Sequence, residues 1–542
     1  METLYSFWMR LAKKPFFGHE KTWLVAFNVS LGSILVWAHF QGFLPLDLTS
    51  FLFAAFLVFL FTLYRPGAAF LFLIGLIPFE TIRLAPQVIP FDLRPYQLVA
   101  LLLFAALCVR FLAGKLTPSF IRFAFPDALL GLVGIGAFLA LFGAPDVPTA
   151  AKQACVLLSF GLLYFLMRQF LRHEENLRHI QPFLAGSAAV VFGTALWQAW
   201  RMRQGLEAFT AMTERPNATF PEADWLGLYA GFMVLLLAVQ LSSALPALRR
   251  RLSAAPWAIA YPFFLLVLLV AGFATLIVAV SRSAWLATAA GFLVFFALVV
   301  WEYIRGYLSA KRTIAFFLVP LLACLLALAG VRLFSLTAFD LSERSASSAS
   351  GLQTITISCS DDRILPERIE SLEELAPLGC RHINLEEREA EAAAGRSVTQ
   401  VLRPDPNVSL RRHIYAESLH LIREHPILGI GWGNARLFLG NDGNGTGLNA
   451  SNIFLEVWLG SGFLGFFGFL LFWFWLLVIH AGAFLRREPG AATSRLFIAL
   501  FFLVTVFNLF NSGLLLALTV FFFALSLFQE GRPLFTPKTP SL

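Results

Sequence analysis

Three arginines lie at the ends of apolar segments, where they could bind a phosphorylated lipid. Arg215 precedes the apolar run that starts near Trp225, Arg282 lies in the tight turn Ser281-Arg-Ser-Ala-Trp285, and Arg411 begins a helical segment of a large polar loop. A guanidinium stays charged and offers a planar fork of donors to phosphate oxygens. For one arginine alone, reaching to lipid head groups is the simpler interpretation. Three on one face favour an anionic, lipid-linked ligand.

Apolar segments occupy most of the chain and must position these arginines. Of the 542 residues, 58% are hydrophobic and 14% are charged, whereas a soluble domain carries roughly a quarter charged residues. We therefore predict an all-α polytopic membrane protein with 12–14 transmembrane helices. The expected spans are residues 23–40, 47–63, 67–80, 96–113, 127–143, 155–171, 179–199, 225–243, 258–280, 284–302, 313–334, 452–480, 494–510 and 513–529.

Basic residues cluster in the short connections between these spans. The net charge is +8, but no basic stripe with interleaved aromatic residues indicates a nucleic-acid surface. With the N-terminus inside, the short inner connections hold roughly three times as many Lys and Arg as the outer ones. This bias predicts a multi-pass membrane protein with both termini in the cytoplasm. The expected divisions are an N-terminal transmembrane bundle of about eleven spans (1–334), a periplasmic loop domain (335–451) and C-terminal transmembrane helices (452–542).

The periplasmic loop is expected to be mainly helical. Short helices are predicted around residues 366–375 and 382–394, and a longer one over residues 410–424 that ends at Pro426. In an oxidising compartment Cys359 and Cys380 could form a disulfide; two free thiols are the alternative. No Cys/His cluster has metal-ligand spacing. The glycines at 429, 431 and 433 predict a tight turn and no phosphate loop, because no Lys-Ser/Thr pair follows them.

Four segments, in order, resemble the O-antigen ligase and O-antigen polymerase family. The first is Arg215-Pro-Asn-Ala-Thr-Phe, leading to the span start at 224–227, and the second is the turn around Arg282. The third runs from Arg411 to Asn434, with an aromatic residue four positions after the arginine and a Gly-x-Gly-x-Gly-Asn ending. The fourth, residues 452–465, opens the span after the large loop. Together they cover roughly residues 210–470.

The resemblance implies a membrane glycosyltransferase that needs neither a metal nor another cofactor. Such an enzyme moves a glycan from an undecaprenyl-diphosphate carrier to a sugar hydroxyl at the periplasmic face. Its partners would be that donor, a saccharide or lipid A-core acceptor, the bilayer and other polysaccharide-assembly proteins, with no nucleic acid. Arg215 and Arg282 would hold the diphosphate, and Arg411 would orient the substrate. Fixed positive charge stabilises the leaving diphosphate.

The sequence departs from the family where a ligase carries a histidine. Ser451 stands at that position, just before Asn452, and a serine hydroxyl is not a general base near neutral pH. Asp224 replaces the family's asparagine at an earlier span start. The candidate bases are therefore the side chains of His420, His425, Glu417 and Asp224. The residues expected to contact substrate are Asp224, Ser451, Asn452 and Glu456.

Several functions remain open at this level. Ser451 slightly favours a polymerase of repeat units over a ligase to lipid A core or a transferase to protein. A flippase or transporter of lipid-linked sugars would be expected to show internal repeats and helices broken at the midplane, and we find no repeat. A sensor would need a cytoplasmic output domain, and the inward segments are too short to form one.

Overall fold

A computed structural model describes residues 17–89, 91–116, 123–171, 174–211, 215–254, 259–337, 339, 351–360, 366–383, 387–441, 447–488 and 491–527. These residues are predominantly helical, which confirms the all-α polytopic class. The N-terminal and C-terminal ends of the chain, on which the prediction of cytoplasmic termini depends, lie outside the described residues.

Among the described residues, eleven α-helices precede the large loop. They are α1 (Phe17–Phe40), α2 (Leu48–Tyr64), α3 (Pro66–Leu76), α4 (Pro95–Leu112), α5 (Phe125–Leu139), α6 (Val147–Phe170), α7 (Glu174–Arg203), α8 (Ala223–Ala254), α9 (Ala260–Val278), α10 (Arg282–Ile304) and α11 (Ala310–Leu333). Several begin with proline in their first turn, where the missing N–H has no intrahelical partner to lose.

In the part of the chain that the structure describes, three helices follow the loop: α15 (Ile453–Leu485), α16 (Ala491–Asn508) and α17 (Ala517–Ser526). Within the described residues, eleven helices are long and apolar enough to cross a membrane, and α2, α3 and α17 are shorter apolar helices. All fourteen expected segments are therefore helical, but three of these helices are shorter than a full span. In the bundle α15 packs along α5, α10 along α16, and α9 along α8.

The helix α15 is kinked at Gly462. This glycine has φ 61°, a left-handed conformation that a Cβ disfavours, and a Cβ there would also collide with the Ile427 carbonyl oxygen. The backbone N–H of Phe463 donates to that oxygen at 3.0 Å. The first turns of α15 are thereby separated from the spanning part and pack against the large loop.

A small antiparallel sheet occupies part of the loop. Strands β1 (Leu352–Cys359), β2 (Cys380–His382) and β3 (Ser397–Pro404) lie in the order β2-β1-β3. Cys359 and Cys380 face each other across β1 and β2 and form a disulfide. The sequence analysis did not predict this sheet. The alternation of β-branched side chains along β1, with Ile355 and Ile357 buried, is what favours the strand.

The two short helices predicted in the loop are largely wrong. Residues 366–371 are not helical; a 3-10 helix spans Leu372–Leu378, and β2 follows it at once. In the second region the described residues hold one α-helix, α12 (Arg388–Ala393). The sheet offers these segments long-range strand and disulfide partners, which overrides their local helical preference.

The longer loop helix, α13 (Pro406–Glu424), agrees with the prediction over 410–424 and begins four residues earlier. Its apolar face, including Ile414, Leu421 and Ile422, packs against Ala450 and Leu459 at the start of α15. The three glycines after it all have positive φ, and the N–H groups of Ile430 and Gly431 donate to the Leu459 carbonyl. They form a turn against α15, followed by the short helix α14 (Arg436–Leu439).

Candidate functional site

Arg215 and Asp224 form an ion pair at the loop side of the bundle, the side on which the sheet and α13 lie. Nη2 of Arg215 is 2.9 Å from Oδ1 of Asp224, which lies in the first turn of α8. Nε of Arg215 donates to the Ala279 carbonyl at 2.8 Å, in the short connection between α9 and α10. Arg215 therefore fixes its own segment to two helix ends, and its side chain remains 15% exposed.

Ser281 and Arg282 begin α10 beside that pair. The Ser281 hydroxyl accepts a hydrogen bond from the Ala284 N–H, as an N-cap, and also hydrogen-bonds Asp224. Nη1 of Arg282 lies 2.5 Å from Oδ2 of Asp405, whose side chain is 1% exposed. Asp405 directly precedes α13, so Arg282 connects the membrane bundle to the loop helix.

Arg411 approaches the same site from α13. Its charge acts on Asp224, and its guanidinium lies over the Phe510 ring at 5.8 Å from the centroid. No carboxylate among the described residues forms an ion pair with Arg411. One turn further on, the Tyr415 hydroxyl donates to the Leu509 carbonyl at 2.8 Å. Burial raises the pKa of this hydroxyl, which keeps it a donor.

Leu509 and Phe510 belong to the connection between α16 and α17, residues 509–516, which we call the 509–516 turn. Nδ2 of Asn511 in this turn donates to the Ser283 hydroxyl at 3.1 Å, next to Arg282. The structure thus brings all three predicted arginines together, around Asp224, Asp405 and the 509–516 turn. We call Arg215, Arg282, Arg411, Asp224 and Asp405 the arginine cluster.

The predicted junction residues hold backbone groups in place. Oδ1 of Asn452 accepts from the Phe454 N–H at 2.9 Å and caps α15, while its Nδ2 donates to the Leu509 carbonyl at 3.2 Å. Oε2 of Glu456 accepts from the Ala450 N–H at 2.8 Å. Ser451 has a left-handed backbone, with φ 48°, and its carbonyl accepts from Tyr415 at 3.4 Å. The junction therefore contacts the 509–516 turn beside the arginine cluster.

Two predicted catalytic residues lie away from the cluster. His425 is exposed at the far end of α13, roughly 21 Å along the helix axis from Arg411. Glu417 points about 120° around the helix from Arg411, because six residues separate them. His420 is exposed and lies 3.4 Å from Glu424. Of the four candidate bases, Asp224 is the one in contact with the arginines.

An apolar groove with a volume of about 570 Å³ lies between α5, α6 and α17. Its wall includes exposed side chains such as Phe123, Ile135, Phe142 and Leu158, so it opens toward the lipid-facing surface. Leu514 of the 509–516 turn also lines it. At the other end Asp127 accepts a hydrogen bond from Tyr164 and lies 3.5 Å from Arg168. The 509–516 turn therefore contacts both the groove, through Leu514, and the arginine cluster, through Phe510.

Residues 265–470 match the family model described as O-antigen ligase. Over this range the chain is similar to O-antigen ligases. No curated protein and no solved structure matches the chain. The match and the apolar helices together support a multi-pass bacterial membrane protein, an enzyme of the O-antigen ligase or polymerase type in surface polysaccharide assembly.

The matched O-antigen ligase range contains Arg282, Asp405 and Arg411 but begins after Arg215 and Asp224. The sequence analysis did not select Asp405. Its signal was present, since an acidic residue directly before Pro406 is typical of a helix N-cap followed by proline at the first helical position. Its ion pair with Arg282, 123 positions away in the sequence, had no local signal. Among the described residues, no group of three or more His, Cys, Asp or Glu side chains could hold a metal ion.

Proposed function

We propose that this protein transfers a glycan from an undecaprenyl-diphosphate carrier to a sugar hydroxyl at the periplasmic face of the inner membrane. One observation carries the proposal: Arg215, Arg282 and Arg411 meet around two aspartates and the 509–516 turn, and Leu514 of that turn lines an apolar groove that opens toward lipid. A polyprenyl diphosphate needs these two environments side by side. Part of the polyprenyl chain would lie in the groove, while the diphosphate would lie at the guanidinium groups.

The arginines would stabilise the leaving group. The acceptor hydroxyl oxygen forms a bond to the anomeric carbon, the bond from that carbon to the diphosphate oxygen breaks, and the diphosphate leaves with the electron pair. Negative charge grows on the diphosphate, where pre-positioned guanidinium donors are most effective. The bonds of Arg215 to Asp224 and Ala279 use Nη2 and Nε, which leaves Nη1 directed to neither. Arg411 adds a further positive charge, and no carboxylate of the described residues forms an ion pair with it.

Asp224 is the candidate acceptor for the hydroxyl proton. Asp224 would act as the base in place of the family histidine, whose position is occupied by Ser451. Of the candidate bases, it is the one that contacts the other residues of the cluster. Asp224→Asn keeps the size of the side chain and a hydrogen bond to Arg215 but removes the base. We expect the maximal transfer rate to fall by about a hundredfold with the donor KM little changed. A larger change in KM than in kcat would contradict this role.

Within this function we propose a polymerase of repeat units, because Ser451 supplies no imidazole at the junction. Ligation to lipid A core, or transfer to protein, is the alternative. The experiment changes Arg215 and Arg282 separately to Ala in cells and measures surface glycan length and carrier-linked glycan. Loss of a polymerase leaves single repeat units on the carrier, whereas loss of a ligase leaves long chains there.

Arg83→Ala is the matched control, since Arg83 is another loop-side arginine paired with an aspartate, Asp92, but both side chains are 64% exposed. We expect normal polymer from this variant. If Arg215→Ala and Arg282→Ala both insert normally into the membrane and both give normal polymer, the proposed transferase function is refuted. The transporter hypothesis would then remain. Ser451→His tests the choice between polymerase and ligase. We expect this variant to have no ligase activity, because a ligase must also recognise the lipid A-core acceptor.

A further inference from the structure

Glu80 is a buried carboxylate in the connection between α3 and α4 that has no role in the proposed chemistry. It is 3% exposed. Its Oε2 lies 2.5 Å from Nη1 of Arg94 and accepts from the Tyr96 hydroxyl at 2.8 Å. Its Oε1 accepts from the backbone N–H of Ala517 at 2.9 Å. One side chain therefore joins two parts of the chain that lie 437 positions apart.

Ala517 is the first residue of α17, so this hydrogen bond fixes one end of the 509–516 turn. The other contacts of the turn lead into the arginine cluster: Phe510 lies under Arg411, and Asn511 donates to Ser283. The first N–H groups of a helix lack partners within the helix and take their acceptors from elsewhere. Here the acceptor is the Glu80 carboxylate, which belongs to the connection between α3 and α4. This contact therefore fixes the position of the 509–516 turn.

The backbone of Glu80 contacts the opposite side of the cluster. The N–H groups of Glu80 and Thr81 both donate to the Thr219 carbonyl, at 2.9 and 3.0 Å. The Thr219 hydroxyl in turn donates to the Pro78 carbonyl at 2.6 Å. Thr219 follows Arg215 by four residues, in the segment that Arg215 anchors. Glu80 thus lies between the segment of Arg215 and the turn that supports Arg411.

We propose that Glu80 is a positioning residue that sets the separation of Arg215 and Arg411 and thereby the affinity for the diphosphate of the donor. The inference rests on the proposed function and names a residue outside the matched O-antigen ligase range. Burying a carboxylate costs free energy that an apolar side chain of similar volume would not. The carboxylate of Glu80 serves here as a hydrogen-bond acceptor for the Ala517 N–H, which an apolar side chain could not replace.

Two variants separate the hydrogen bond from the filled space. Glu80→Met keeps most of the volume and removes every acceptor, while Glu80→Gln keeps an amide oxygen for the Ala517 N–H. The full chain in nanodiscs is tested with undecaprenyl diphosphate for binding and with its glycan-linked form for transfer. For Glu80→Met we expect about a tenfold rise in the Kd and in the donor KM, with kcat within about threefold of wild type. Glu80→Gln should recover most of that affinity.

Glu302→Gln is the matched control, because Glu302 is also a buried glutamate paired with arginines, but at the end of the bundle opposite the loop. It should lower the unfolding temperature without changing the donor KM. Unchanged donor affinity in Glu80→Met, or an equal KM change in the Glu302 control, would overturn the inference. If Glu80→Met fails to fold, the test rests on Glu80→Gln, which keeps the acceptor for the Ala517 N–H. A tenfold loss of donor affinity in that variant would also overturn the inference. A wild-type chain that neither binds the diphosphate nor transfers glycan would instead refute the proposed function.

Discussion

Arginines meet carboxylates at both ends of the helical bundle, and the two groups differ in what their members connect. At the end opposite the loop, Glu302 contacts Arg487 and Arg495; the side chains of Glu302 and Arg495 are 5% and 3% exposed, and that of Arg487 is 25% exposed. An aromatic ring also covers Arg487, whose guanidinium lies 3.8 Å from the centroid of the Tyr307 ring. In the arginine cluster Arg215 and Arg282 are 15% and 21% exposed, and Arg411 has a ring on one face only.

Net charge does not distinguish the two groups. Two arginines and one glutamate give a formal charge of +1 at the end opposite the loop, and three arginines and two aspartates give +1 in the arginine cluster. The difference is that Glu302 and its partners close on one another between α10, α15 and α16, whereas the cluster joins the bundle to a separate loop helix. Connectivity, more than residue type or net charge, therefore favours the arginine cluster as the proposed substrate site.

The largest expected effect is on Arg282. Arg282→Ala removes a charge from the diphosphate site and also the partner of the buried Asp405, so α13 loses its connection to α10. We expect transfer to fall by more than about a hundredfold, since both a charged contact and the position of Arg411 are lost. Arg282→Lys should recover only part of this, because an ammonium cannot replace the planar fork. Donor-dependent transfer by the purified full chain measures both; a loss below tenfold in Arg282→Ala would contradict the role.

Glu302 should show the opposite pattern. Glu302→Ala leaves Arg495 buried without a carboxylate, and breaking a buried ion pair in this way costs roughly 3–5 kcal/mol of unfolding free energy. Transfer per folded molecule should stay within about twofold of wild type. Reversible unfolding in detergent gives the stability, and transfer normalised to folded protein gives the activity. A loss of specific activity as large as that of Arg282→Ala would remove the distinction between the two ends.

Arg411 permits a sharper comparison within one helix. Arg411→Ala removes the charge that no carboxylate pairs among the described residues, so we expect about a tenfold rise in the donor KM. Its neighbour Arg412 is exposed and provides the control, since Arg412→Ala changes the net charge equally. That variant should leave the KM unchanged. Equal shifts in both variants would mean that the overall charge of the loop attracts the donor and that Arg411 has no specific position.

The apolar runs predicted the helices because a membrane span needs about twenty apolar residues wherever it lies. Arg215, Arg282 and Arg411 could also be selected, since charge beside apolar segments is unusual. The contacts of Asp405 and Glu80 could not be predicted, because they join Asp405 to Arg282 across 123 positions of sequence and Glu80 to Ala517 across 437. The sheet was missed for a related reason: the strand Leu352–Cys359 has partners that lie after two intervening polar segments. The kink at Gly462 likewise depends on the distant Ile427 carbonyl.

The smallest expected effect concerns a third arrangement of charges, on the loop sheet. Glu391 of α12 accepts from the Ser358 hydroxyl at 2.6 Å and from Nη2 of Arg381 at 2.6 Å, and it lies 3.6 Å from Arg396. The hydrogen bond of Ser358, then that of Arg381, lowers the pKa of Glu391 below its usual value of 4.5. Arg381 is 54% exposed, so water and salt screen this pair far more than those of the membrane bundle.

A lowered folded-state pKa gives stability that is complete above pH 4.5 and is lost as the pH falls through the folded value. Glu391→Gln should therefore unfold slightly more easily than wild type at pH 7, and this difference should vanish in acid. Protease cleavage of the loop in the full chain, followed across pH, measures the effect. Transfer should change by less than about twofold, because Glu391 is outside the arginine cluster. A large loss of transfer would mean that the sheet holds Asp405 against Arg282, because β3 leads directly into Asp405 and the backbone N–H of Asp405 donates to the Gly351 carbonyl.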